Sequence, residues 1–389
     1  MITVKEAKQF ITENCNTTRV ELLSLREAYG CIAAEPIYSL IDTPPFNQSA
    51  MDGYAFLFDE KKSTLFLTGE IQTGNIFQKN LNPIEAVRIF TGAALPNGAD
   101  TVVMQEKVIV SENKISITDD QLIRGSNVRL KGSQTKKGTV VLNSGSMFNP
   151  AVISFLAGVG IDKVKVFAKP AISIIVTGKE LVQPGENLSE GKIYESNSFG
   201  LTAAINQLGI TPISTQVVDD EEIEIRNVIT NQLHNDIVLI TGGISVGDYD
   251  FVSSALEKCG VKKIFHKVKQ KPGKPFYFGK YNNTLVFALP GNPAAVLSCF
   301  YEYVVPVISS FTKKDYFRKI KLPLLNDFRK KTGLTFFMKG KTNGNGVKIL
   351  NNQESYLMNS FAMADCIVEL EEGAEIYNKG ELVSVSMIE

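Results

Sequence analysis

The sequence predicts a multidomain protein of α/β and β parts. A central doubly wound α/β domain is flanked by a helical N-terminal domain that a β domain interrupts, and by a small C-terminal β barrel or sandwich. Three observations predict this. Apolar runs at residues 171–176 (AISIIV), 236–240 (DIVLI) and 285–289 (LVFAL) each end in a Gly- or Pro-rich turn, with helical stretches between them. Such two-sided apolar strands belong in a parallel sheet covered on both faces. Residues 65–117 and the last 70 or so read instead as short alternating strands punctuated by Gly, Pro and Asn. Finally, 389 residues exceed what one core serves.

The first 45 residues look helical. Val4, Ala7, Phe10 and Ile11 recur at helical spacing behind Thr3, a suitable N-cap, and a second helix is expected over residues 24–34. Residues 148–160 read as a helix with Pro150 near its start. The expected domains are 1–45 with 138–169, an inserted β domain 46–137, the α/β domain 170–315 and a C-terminal β domain 316–389. Within the α/β domain, helices are expected at 199–208, 221–233 and 251–258. A long one starts at Asn292 (N-cap) and Pro293 (N1) and runs to about Phe311.

Composition narrows the function. The 41 basic and 41 acidic residues cancel, and no like-charge tail occurs, which argues against a nucleic-acid binder. An apolar fraction of 44% argues against disorder. No apolar run reaches the ~18 residues of a membrane span, and the N-terminus lacks a signal-peptide layout, so a cytoplasmic protein is expected. Five scattered Cys without a CxxC pair, and two His, suggest neither a disulfide framework nor a zinc cluster.

Ligands of open α/β sheets bind beyond the carboxyl ends of the strands. There the turn TGGISVGDYD (241–250) offers Gly242, Gly243 and Gly247 as an anion nest ahead of a helix N-terminus. Asp248 and Asp250 suit a hard cation beside a phosphate; the plainer reading is a tight turn with one Asp capping the helix. KPGKP (271–275) turns Lys271 and Lys274 towards one anion, or is a solvated surface turn. LPGNP (289–293) is a rigid corner into a capped helix. Glu180 and Asp219 add carboxylates at strand ends. Outside that sheet, SAMDGYA (49–55) surrounds Asp52 with small residues, which suits a ligand contact or a tight linker equally.

Together, SAMDGYA, FTGAALPNGADTVVMQE (90–106), IVTGKEL (175–181), YESNS (194–198), TGGISVGDYD, KPGKP and LPGNP resemble the MoeA family of molybdopterin molybdenumtransferases, related to the E domain of gephyrin. The motifs occur in family order across nearly the whole chain. The resemblance implies a four-domain homodimer whose cleft lies between the α/β domain of one subunit and the β domain of the other. It implies insertion of molybdenum from molybdate into adenylylated molybdopterin, with Mg²⁺ and release of AMP. It allows the molybdopterin adenylyltransferase as a partner. Carried over by motif, Asp52, Glu180 and Thr91 are catalytic candidates. By motif too, Lys271, Lys274, Pro290 and Pro293 are ligand-binding candidates and Asp219 and Asp250 metal candidates; the residues themselves add Gly242, Gly243, Ser245, Gly247 and Ser355 to the first set and Asp248 to the second.

The sequence departs from the family at four places. Ser133 and Gln134 stand where acids are usual, Ala295 where a Ser follows LPGNP, and Leu334 and Lys339 where two Arg occur. Lys cannot reproduce bidentate oxyanion binding. These departures keep open a weakly active or tungstate-directed paralogue and a non-catalytic scaffold. An adenylyltransferase is a third reading, which the flanking β domains disfavour.

Overall fold

The computed structural model describes residues 1–15, 18–244 and 251–388. The chain divides into two compact units, 1–21 with 167–389 and 22–166.

The larger unit is built on a six-stranded sheet. Its order is Ser214–Val218, Ile172–Thr177, Ile237–Thr241, Thr284–Leu289, Tyr277–Tyr281, Lys262–His266. The first four strands are parallel and the last two antiparallel. Alternation along the strands explains the layers. Ile172, Ile174, Val176, Ile237, Leu239 and Phe287 pack with Leu201 and Ile205 of helix Asn197–Gln207 and with the helix after LPGNP. Ile175, Val238, Ile240, Val286 and Ala288 face the other way, against helices Glu222–Gln232 and Phe251–Lys258. With helices on both faces, apolar runs are required at every position of the central strands.

The long apolar helix is a composite. Pro293–Cys299 and Val305–Thr312 are α-helical, and Phe300–Val304 between them is π-helical. Contrary to the sequence expectation, it is 20 residues long with an 18-residue stretch of mean hydropathy 1.5, long and apolar enough to cross a membrane. Of that stretch 72% is buried inside the protein, as in a core helix. The N-terminal helix Val4–Asn14 starts with the capping box its sequence spells. Thr3 Oγ1 accepts from Glu6 N at 3.2 Å, and Glu6 Oε2 accepts from Thr3 N at 2.8 Å. Val4, Ala7 and Ile11 bury their stripe in the α/β core.

The C-terminal strands form a sheet ordered Gln270–Lys271, Thr335–Thr342, Cys366–Leu370, Leu382–Met387, Lys319–Pro323. The short pair Phe328–Arg329 and Ile376–Tyr377 closes the same apolar core with Phe328 and Tyr377. Leu334 joins this core, so an apolar contact replaces the arginine expected there.

The smaller unit holds a six-stranded mixed sheet, Thr101–Met104, Gly53–Phe56, Glu85–Ile89, Leu65–Ile71, Lys114–Ile117, Val108–Ser111. It also holds the helix Pro150–Gly158, capped by Asn149. Residues 24–34 are not the expected helix. Val20–Ser24 is a strand paired with Lys163–Phe167, and turns follow. The apolar positions there (Leu25, Ala28, Cys31) mimic helical spacing, but they fill a core shared with Phe148 and Leu156. Packing decided what periodicity left ambiguous.

Candidate functional site

Register brings the predicted turns to one sheet edge. Thr177 pairs with Val218, Val176 with Thr241, and Thr241 with Leu289. Gly178, Asp219, Gly242 and Pro290 therefore leave the sheet together. The strand order reverses at Ile172–Thr177, so this edge is also the switch point of the doubly wound sheet.

The glycines here have steric reasons. Gly242 sits at φ +88°, and a Cβ on it would lie 2.1 Å from Thr177 O. Gly243, at φ +57°, would place one 2.6 Å from Thr177 Oγ1. Gly242→Ala therefore combines a left-handed backbone with an atom-on-atom clash, and is expected to weaken ligand binding at this edge at least tenfold. Calorimetric titration checks this; unchanged affinity would show that the turn has room. Asn197 staples two of the turns. Its Nδ2 donates to Thr241 Oγ1 (3.0 Å) and to Gly291 O (2.9 Å), while Thr241 Oγ1 donates to Pro290 O at 2.9 Å. Sequence reasoning quoted Asn197 inside YESNS without giving it a role. Its buried Oδ1 has no hydrogen-bond partner among the described residues.

Beside this edge a cavity of about 380 Å³ is lined by Lys271, Lys274, Pro290, Gly291, Asn292, Ala295 and Ser355, with the walls of the KPGKP turn. Lys271 is fixed because its segment is the edge strand of the C-terminal sheet, Gln270 opposite Thr335 and Lys271 opposite Phe336. The Lys271–Pro272 peptide is cis, and the Lys271 ammonium lies 5.5 Å from the centre of the Phe336 ring. Gln270 holds the turn from within, donating to Gly273 O at 2.9 Å and accepting from the Tyr303 hydroxyl. Both lysine side chains are exposed and neither is held in an ion pair among the described residues. Asn292 sits at the helix N-cap as expected, but its side chain makes no capping bond. Instead Asn292 Nδ2 donates to Ser355 Oγ at 2.8 Å, and Ala294 N donates to Ser355 O at 3.1 Å. Pro293 opens the helix without lining the cavity. Ala295 lines it with a methyl group, where the resemblance implies a hydroxyl.

Glu180 lies on the exposed turn after Gly178, and its carboxylate folds back to 3.0 Å from where a Gly178 Cβ would be. Asp219 follows Val218 and is exposed. Its neighbour Asp220 is the residue the sequence reading missed. Asp220 Oδ1 is buried, lacks a partner among the described residues, and lies 3.5 Å from where a Gly243 Cβ would be. The doubled Asp was the available signal. Ser245, Gly247, Asp248 and Asp250 lie outside the described residues. Among the described residues no cluster of three or more His, Cys, Asp or Glu has metal-site geometry.

In the smaller unit Asp52 and Thr91 meet. Asp52 Oδ1 accepts from Thr91 N at 2.7 Å and from Thr91 Oγ1 at 2.8 Å. Gly53 begins the strand directly after Asp52, and a Cβ there would lie 1.9 Å from Val103 O, so the close pairing needs glycine. The backbone donor first, and the hydroxyl second, hold the Asp52 carboxyl below its ordinary range. Ser133 and Gln134, the expected acid positions, are exposed and held by backbone bonds to Leu130 O and Thr43 O.

An α/β edge with a glycine turn and a cavity lined by two lysines is of the class that suits phosphorylated or oxyanionic ligands, here joined to two β modules. Comparison with known proteins makes this particular. Residues 2–160 match the family model of the MoeA N-terminal region (domain I and II), 173–310 a probable molybdopterin binding domain, and 321–388 the MoeA C-terminal region (domain IV). The chain is 36% identical to the molybdopterin molybdenumtransferase of Haemophilus influenzae, over 99% of this chain and 98% of that one. It is 32% identical to that of Staphylococcus aureus (strain COL), over 100% and 96%. The crystal structure of the molybdopterin biosynthesis MoeA protein from Pyrococcus horikoshii superposes with a TM-score of 0.86 at 30% identity, covering 100% of this chain and 99% of that one. The chain belongs to the MoeA family of molybdopterin molybdenumtransferases, transferases of molybdenum cofactor biosynthesis.

Proposed function

We propose that the protein inserts molybdenum from molybdate into adenylylated molybdopterin and releases AMP, as a Mg²⁺-dependent, four-domain cytoplasmic homodimer that can receive its substrate from the molybdopterin adenylyltransferase. The observation that supports this best is the cavity beside the glycine edge. Two lysines without an ion pair among the described residues, an Asn–Ser hydrogen bond and backbone groups suit a tetrahedral dianion next to a phosphorylated pterin. Gly242 and Gly243 let the backbone approach the phosphates, and Lys271 and Lys274 neutralise the molybdate. Asp52, ionised by its two Thr91 bonds, serves to orient the water that attacks the pyrophosphate and to take up its proton; Glu180 is the alternative base.

The magnesium question turns on Asp220. A buried carboxylate oxygen without a partner among the described residues is one oxygen donor of the kind a hard cation selects. Asp220, with Asp219 and with Asp248 and Asp250 outside the described residues, would hold the ion, which supplies charge neutralisation between the two anionic substrates when bound.

The deciding assay incubates the protein with adenylylated molybdopterin, Mg²⁺ and molybdate and follows AMP. Release that depends on molybdate is expected; release at the same rate without it would reject molybdenum transfer. Within that assay, Lys271→Ala and Lys274→Ala should each raise the molybdate KM about tenfold or more, from a lost charge-assisted bond. A KM that stays put in both variants would move the oxyanion elsewhere.

A further inference from the structure

Lys339 stands where the resemblance implies an arginine, a replacement that by itself predicts weaker oxyanion binding. The structure gives its ammonium a different occupation. Lys339 lies on the strand Thr335–Thr342 and is 4% exposed. Its Nζ donates to Asn352 O at 2.9 Å, Leu357 O at 3.0 Å and Glu354 O at 3.3 Å. An ammonium has three protons, so these carbonyls occupy all of them. Burial pushes the Lys339 pKa below its ordinary value, with Glu354 opposing.

The rest of the strand position is organised around the same loop. Lys339 N donates to Gln353 Oε1, and Gln353 Nε2 donates to Lys339 O, both at 2.9 Å. Ser360 Oγ donates to Asn352 O at 2.6 Å. What this loop presents is Ser355, whose Oγ and carbonyl meet Asn292 Nδ2 and Ala294 N at the wall of the lysine cavity.

We propose that Lys339 is a positioning residue. It never touches the oxyanion, and by gathering the carbonyls of Asn352, Glu354 and Leu357 it holds Ser355 against Asn292 so that the cavity is closed on that side. The functional half of this rests on the oxyanion reading of the cavity. A compact ammonium converges on three carbonyls around one point, whereas a guanidinium presents its donors in a planar fork. Lys339→Arg therefore separates the two roles. A ligand would bind molybdate as well or better through Arg, whereas a clamp would fail.

The test uses the full-length protein and the variants Lys339→Met, Lys339→Arg, Ser355→Ala and Lys339→Met/Ser355→Ala. Amide hydrogen exchange is read without ligand, and molybdate binding is read by calorimetry. Both Lys339 variants are expected to lose protection over residues 352–357 while strand Cys366–Leu370 stays protected, which also shows that the sheet is folded. Each single change should weaken molybdate binding about tenfold. Ser355→Ala should add less than about twofold in the Lys339→Met background, because the two act through one loop. In turnover the loss should fall on the molybdate KM, with kcat at saturation within about threefold. Unchanged exchange at 352–357, additive losses, or tighter binding in Lys339→Arg would each overturn the proposal. If Lys339→Met does not fold, Lys339→Arg carries both arms. A native protein that binds no molybdate sinks the oxyanion reading, and the clamp then stands or falls on exchange alone.

Discussion

Asp52→Ala is expected to reduce molybdate-dependent AMP release by about 10²–10⁴-fold, the range a positioned general base contributes, while adenylylated molybdopterin binding stays within about twofold. The ground is the pairing with Thr91. Two donors converge on Asp52 Oδ1, one of them a backbone amide that no side-chain change removes. They hold the carboxyl below its ordinary value of 3.8, so it is ionised through neutral and mildly acid pH. Because the pKa is depressed, the acid limb of the activity profile should fall below that value. Thr91→Val removes the hydroxyl donor and should move the limb upward, towards 3.8, without abolishing activity. A Asp52→Ala variant with native turnover would remove Asp52 from the chemistry. An unmoved limb in Thr91→Val would remove Asp52 as the titrating group.

The largest stability effect is expected from Lys8→Met. Lys8 Nζ lies 2.7 Å from Glu302 Oε2 and 3.3 Å from Glu369 Oε2, and Lys319 also reaches Glu369. Glu302 is 3% exposed because the π-helical segment Phe300–Val304 turns it inward, beside a second cavity of about 400 Å³ that no family motif lines. Removing the lysine leaves the buried Glu302 carboxylate without its cation, while Glu369 keeps Lys319. Breaking such a pair costs about 3–5 kcal/mol when fully buried, and with Lys8 partly exposed the lower end applies, about 3 kcal/mol. The larger unit should melt about 6–10 °C lower. Burial opposes the Lys8 charge, yet Glu302 and Glu369 raise its pKa above 10.5. Burial also opposes the Glu369 charge, yet Lys8 and Lys319 lower its pKa below 4.5. The contribution from raised Lys8 is complete below pH 10.5 and fades as pH rises through the folded value. That from depressed Glu369 is complete above pH 4.5 and fades as pH falls through its folded value. The gap between native protein and variant should therefore be flat from about pH 5 to 10 and close at both ends. A gap that vanishes at neutral pH would show the cluster to be indifferent to Lys8.

Much of the α/β part was legible because burial on two faces leaves a one-dimensional trace. Ile172–Thr177, Ile237–Thr241 and Thr284–Leu289 are apolar at nearly every position, and the glycines and prolines beyond them mark where the chain must turn. Thr3 with Glu6, and Asn149 with Pro150, are local signals that act over three residues. Residues 24–34 were misread for the complementary reason. A few apolar side chains at helical intervals fit a turn-rich segment equally well when a neighbouring strand and helix supply the rest of the core. The composite helix Pro293–Thr312 shows the same limit, since length and hydropathy do not distinguish a buried helix from a membrane span.

The sequence by itself determined the family, the sheet type and the turns that carry glycine and lysine, because motifs and two-sided burial are written in consecutive residues. Only the tertiary structure decided which polar groups meet. It joined Asp52 to Thr91 across 39 positions and Asn292 to Ser355 across 63. It assigned Lys339 to backbone carbonyls instead of the cavity, and left Asp220 beside Asp219 with an unpartnered oxygen among the described residues. The physical reason is range. Backbone preference and hydrophobic period act between near neighbours, whereas the partner of a buried donor or acceptor is fixed by strand register and loop closure over tens of residues.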